Sequence, residues 1–135
     1  MSAVEGTLVA SGCLVFFRSG ACDLDAASRS LAGHGLTVTR TGDAITAARP
    51  GSPEFRIRLA TEEWVRAEAA EIGDGTPHEA AMRECDARFE VSFDSLDDVL
   101  DEINTLLEVQ GALQDASRGF LFLPWNGNLS GPWQG

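Results

Sequence analysis

The chain contains no lysine and no tyrosine, and all ten of its basic residues are arginine. Lysine is ordinarily among the commonest residues. Its absence, with that of tyrosine and with only three asparagines (Asn104, Asn126, Asn128), is what a GC-rich coding sequence produces. The chemical consequence holds whatever the cause. Schiff-base catalysis, a phosphate-loop lysine and a lysine general base are all excluded, as is a tyrosine acid. Three cysteines (Cys13, Cys22, Cys85) follow no regular spacing. An odd, unpatterned set argues against a disulfide framework and for a reducing compartment. Long apolar runs are also missing. The strongest, residues 13–17, is far short of the roughly 20 residues a membrane span needs. The first five residues carry an acid and no basic cluster, unlike a secretory signal. The expectation is a cytoplasmic protein.

Positive charge is the next scarcity. Twenty-one acids against ten bases give a formal net charge of −11. Nucleic acid and anionic membranes are disfavoured as partners, and a basic protein is favoured. The imbalance is local. Residues 61–108 hold fifteen acids against Arg66, Arg83 and Arg88, whereas residues 36–60 are slightly positive.

At 135 residues and 44% hydrophobic composition, one globular domain over residues 1–135 is expected, with residues 1–5 and 129–135 loose. Residues 7–17 read as a strand that becomes apolar on both faces, the pattern of a central strand. Asp23 or Asp25 is placed to cap a short helix that ends before Gly33-His34-Gly35. Residues 36–40, 44–49 and 55–59 read as strands separated by Gly- and Pro-containing turns. The strict alternation of Phe55-Arg56-Ile57-Arg58-Leu59 predicts a half-buried strand. Thr61 is placed to cap a helix with Val65, Ala69 and Ile72 on one face. A two-turn helix over 77–85 and an alternating strand over 88–93 follow. The clearest helix spans about 95–116. It has Ser95 at its cap and Leu96, Val99, Leu100, Ile103, Leu106, Leu107 and Leu113 in one apolar stripe. Residues 120–123 read as a second doubly apolar strand. The sum is an α+β fold with a mixed sheet of about five or six strands. Strands around Val15 and Phe122 should lie near its centre, with the long amphipathic helix and shorter ones packed on it.

No complete catalytic motif is present, so the expectation is a non-enzymatic protein without cofactor or metal. His78-Glu79-Ala80-Ala81-Met82 misses the zinc-protease pattern, because a thioether stands where the second imidazole belongs. Cys22 precedes a helix, which would acidify a thiol, but Asp23 and Asp25 oppose thiolate formation. No C-x-x-C, calcium loop, Gly-rich phosphate loop or G-x-S-x-G elbow occurs.

Two functional readings compete. In the first, the chain is a protein-binding module whose acidic surface docks a basic protein partner. Asp97, Asp98, Asp101 and Glu102 would steer that partner, and Trp125 and Trp133 would anchor it. Small, acidic immunity and adaptor proteins resemble this chain in general character, although no motif carries the likeness. In the second, the chain binds a small molecule or anion in a cleft beside the sheet, possibly with catalysis, through Arg56, Arg58 and His78. A homodimer through strand 54–60, taken as an edge, or through the C-terminal tail is a third expectation.

Overall fold

A computed structural model describes residues 12–132. The start of the first predicted strand (residues 7–11), the loose segment 1–5 and Trp133 lie outside the described residues. Chain order gives β1 (Gly12–Phe17), α1 (Leu24–Gly33), β2 (Thr37–Thr41), β3 (Ala44–Ala48) and β4 (Phe55–Ala60). These are followed by α2 (Glu63–Gly73), α3 (Glu79–Met82), β5 (Ala87–Ser92), α4 (Leu96–Asp101), α5 (Ile103–Ser117), β6 (Phe120–Leu123) and β7 (Asn128–Ser130).

The α+β class holds. Among the described residues one sheet of seven strands runs in the order β2-β3-β4-β5-β1-β6-β7. Every pairing is antiparallel, where a mixed sheet of five or six strands was expected. Two features account for the difference. Strands β2, β3 and β4 are joined by short turns, which can only pair neighbours antiparallel. Residues 129–130, the start of the tail expected to be loose, instead belong to a hairpin strand, with Leu123 opposite Asn128. Gly127 takes a positive φ of 74° in its turn, a conformation that glycine adopts without steric cost.

Strand β1 is interior, between β5 and β6, as its doubly apolar sequence implies. Strand β6 is interior too, although only the three-residue β7 lies beyond it. Strand β4 is not an edge: β3 and β5 flank it, so its backbone donors and acceptors are already paired. Among the described residues the edges are β2 and β7.

Each sheet face has its own core. On one face Val15, Phe17, Ile45, Phe55, Ile57, Phe89 and Val91 pack against Leu24, Ala27 and Leu31 of α1 and Val99, Leu106, Val109 and Leu113 of α4 and α5. Phe17 and Phe89 stack with ring centroids 4.8 Å apart. Burying a side chain of this kind contributes about 1.5–3 kcal/mol. On the opposite face Leu14 and Phe16 meet Ala60, Val65, Ala69, Met82 and Cys85, a smaller core beneath α2 and α3. The rest of that face carries the polar side chains of the alternating strands.

Caps and breaks follow local chemistry with three exceptions. Asp23 caps α1, accepting from the Ala26 N–H at 2.8 Å, and Ser95 caps α4 through the Asp98 N–H at 3.3 Å. Thr61 does not cap α2; Glu62 holds that position without a side-chain hydrogen bond. The helix expected over 77–85 is a single turn. The long helix expected over 95–116 is two helices, broken at Glu102, where φ is −114° and ψ 50°. The break divides the leucine stripe. Val99, Leu106 and Leu113 are buried, while Leu100, Ile103 and Leu107 face outward with 42%, 41% and 54% exposure.

Candidate functional site

The acidic segment builds a cleft at one end of the sheet. Strand β5 ends at Ser92, and Phe93 turns into the core. Asp94 and Ser95 then lead into α4. The loop before β4 forms the opposing wall. There Ser52 Oγ accepts from the Arg49 N–H at 2.9 Å and donates to the Pro53 carbonyl at 3.0 Å. Between these walls lies an open cleft of about 410 Å³, lined by Gly51, Ser52, Pro53, Glu54, Asp94, Ser95, Asp98, Asp101 and Glu102. Five of its nine lining residues are carboxylates. Among the described residues only Asp94 meets a cation, Arg56 at 2.9 Å, and both partners are open to water. Such a surface pair contributes about 0–1 kcal/mol, so it hardly offsets the clustered negative charge.

Of the residues singled out from sequence, Asp98, Asp101 and Glu102 line this cleft together. Asp97 is exposed on α4 but does not line it. Trp125, in the β6–β7 turn, is half-buried. It meets the edge of Phe93 at 6.3 Å, and Phe93 meets Phe55 at 5.7 Å. The indole thus extends an aromatic row whose other members adjoin the cleft residues Asp94 and Glu54.

Arg56 and Arg58 do share one face of β4, and each finds a carboxylate: Asp94 for the first and Glu90, at 3.5 Å, for the second. His78 is elsewhere. It precedes α3 and lies against Phe120 of β6, ring centroids 5.3 Å apart. A methyl group on Gly131 would come within 3.0 Å of its ring. Strands β5 and β1 separate β4 from β6, so the three side chains do not converge.

The thiols are poorly disposed to react. Burial pushes Cys13 up to about 12, against a weak pull from Gln110. It pushes Cys85 up to about 11, helped by the Asp86 charge. Cys22 is raised by burial first and then by Asp23, the opposition expected from sequence. Among the described residues no three His, Cys, Asp or Glu side chains are grouped to hold a metal, and no helix is long and apolar enough to cross a membrane.

Two polar networks were missed. Arg88, only 4% exposed, holds Glu90 at 2.7 Å and also pairs with Glu68 of α2. Its guanidinium lies over Trp64 at 4.5 Å and near the Phe16 ring at 5.5 Å. The available signal was that Arg88 alternates with Phe89 in a strand beside the doubly apolar β1, so its polar face is covered as well. The second network straps α1 to α5. His34 meets Glu108 at 2.9 Å and Asp115 at 3.3 Å, and Arg49 reaches Glu108 at 3.1 Å. The His34 hydrogen bond, followed by the charges of His34 and Arg49, holds the Glu108 carboxyl below its ordinary range.

Compared with models of protein families, with characterised proteins and with solved structures, the chain matches none.

Proposed function

We propose that this chain is a non-enzymatic protein-binding module, resident in the cytoplasm, whose acidic end docks a basic protein partner. An immunity-like pairing with a basic toxin is one form such an interaction takes. The observation that supports the reading best is the cleft itself. Glu54, Asp98, Asp101 and Glu102 face one another across it and have no cationic partner among the described residues. Carboxylates gathered in this way repel one another, and a basic side chain entering the cleft relieves that repulsion. The field of such a cluster also accelerates encounter with a cationic surface and falls off with salt. Trp125 supplies an adjacent aromatic surface of the kind that anchors interfaces. The second reading needs Arg56, Arg58 and His78 to share a cavity, and their separation gives it no support.

The test is to isolate the partner by affinity capture and follow its association by stopped flow. The rate should fall steeply with ionic strength. Joint neutralisation in D97N/D98N/D101N/E102Q should slow it about tenfold or more at low salt, leaving dissociation less affected. An association rate indifferent to both salt and these substitutions sinks the proposal.

A further inference from the structure

The end of the sheet opposite the acidic cleft holds a smaller cavity of about 200 Å³. It forms where β1, α3 and α5 all terminate. Phe17, Ala21, Ala81, Cys85 and Phe120 give it an apolar lining, and Arg18, Arg118 and Glu84 stand at its exposed rim. Seven of the ten arginines are in ion pairs. Among the described residues Arg18, Arg29 and Arg118 are in none, and two of these three share this one cavity. Although Glu84 shares the rim, neither arginine is in an ion pair with it, so both guanidinium groups are available to an incoming anion.

Both arginines stand on firmly held backbone. Arg18 opens a turn in which its carbonyl accepts from the Ala21 N–H at 3.0 Å. Asp86 clamps that turn, accepting from the Ser19 N–H at 2.7 Å and from its hydroxyl at 2.8 Å. Arg118 follows the last turn of α5, with its N–H donating to the Gln114 carbonyl at 2.7 Å. Its φ is 58°, the one positive value at a non-glycine among the described residues. Glycine is the low-energy occupant of this helix-ending position. Arginine takes this conformation at a cost that glycine would avoid.

We propose that this cavity binds a small monocarboxylate with a short apolar body. The carboxylate would lie between Arg18 and Arg118, which suit it as charge-assisted donors. The apolar body would fill the floor between Phe17 and Phe120. At about 200 Å³ the cavity has room for a short chain of a few carbon atoms, a water molecule in the liquid taking roughly 30 Å³. Two arginines and Glu84 leave one net positive charge at the rim, which favours a singly charged anion over phosphate or a dicarboxylate. This proposal is independent of the acidic-cleft reading, since the two sites use different residues at opposite ends of the sheet.

Titration of the full chain with hexanoate, followed by calorimetry and by amide shifts in NMR spectra, tests it. A dissociation constant on the order of 1 mM is expected for a ligand of this size. The shifts should centre on Phe17, Ala81 and Phe120. Hexanamide, which has the same shape without the charge, and inorganic phosphate should each bind about tenfold or more weakly. R18A and R118G should each weaken hexanoate by a similar factor. Because glycine suits a positive φ, R118G should do so with its thermal midpoint unchanged or raised, which separates lost binding from lost folding. No binding at concentrations on the order of 10 mM would overturn the proposal. So would equal affinity for hexanamide or phosphate, shifts centred elsewhere, or undiminished binding by the R18A/R118G pair.

Discussion

Replacing Arg88 with methionine removes the one charged side chain that is buried among the described residues, while keeping an unbranched apolar stem in its place. Breaking a fully buried ion pair from one side costs about 3–5 kcal/mol, because the other charge is stranded. Here the stranded carboxylates are not fully buried. Glu68 and Glu90 keep 32% and 25% side-chain exposure and can recover part of their hydration, which brings that contribution down to about 2–3 kcal/mol. Loss of the guanidinium from over Trp64 and from beside Phe16 adds about 1 kcal/mol. The expected total is about 3–4 kcal/mol. At this chain length that corresponds to a fall in thermal midpoint of roughly 10–15 °C. Urea denaturation followed by far-ultraviolet circular dichroism measures it without relying on Trp64, whose own surroundings change. Adding E68Q and E90Q should then recover about half of the loss, since the penalty resides in the stranded charges. A loss below about 1 kcal/mol for R88M, or a triple variant no more stable than R88M, would refute this account of the second sheet face.

Two further outcomes are expected. Leu106→Ala should cost about 2–5 kcal/mol in chemical denaturation, since Leu106 is 2% exposed in the principal core, and a shift well below 1 kcal/mol would contradict its packing. Asp86 titrates below its ordinary value of 3.8, chiefly because the Ser19 N–H and hydroxyl donate to its charged form. Its folded-state pKa is depressed, so its contribution is fully present above the unfolded value and lost as pH falls through the folded one. D86N should therefore be less stable than the parent at neutral pH, and the two stabilities should converge below about pH 4; parallel stability profiles across that range would contradict the clamp.

The strands were legible because alternation records burial directly. Phe55 and Ile57 are buried while Arg56 and Arg58 are exposed, as their spacing required. The doubly apolar run at residues 13–17 likewise announced an interior strand. The division of the long helix was not legible. Val99, Leu100, Ile103 and Leu106 form one stripe on an ideal helix, and nothing local to Glu102 marks a break. Only the positions of the sheet and α1 decide which leucines turn inward. Strand β7 was hidden by its length, since three residues carry no period. At the candidate site, the acidity of 94–102 was plain, but the wall supplied by Gly51 to Glu54 depends on β4 pairing with β5. The cavity at Arg18 and Arg118 was beyond reach for the same reason: it joins residues a hundred positions apart at the ends of three elements.

The interior position of β1 has a consequence for how the chain acquires its fold. Gly12 lies opposite Ser92, and Leu14 opposite Phe122, so both neighbours of this strand come from the far part of the sequence. The β2–β3–β4 meander can form early from local turns, but it offers β1 no partner. Until residues 87–123 are available, Leu14, Val15, Phe16 and Phe17 have neither strand edge satisfied. Closing such long loops before their contacts form makes folding slow. During synthesis, an apolar strand without its partners is open to aggregation and to chaperones.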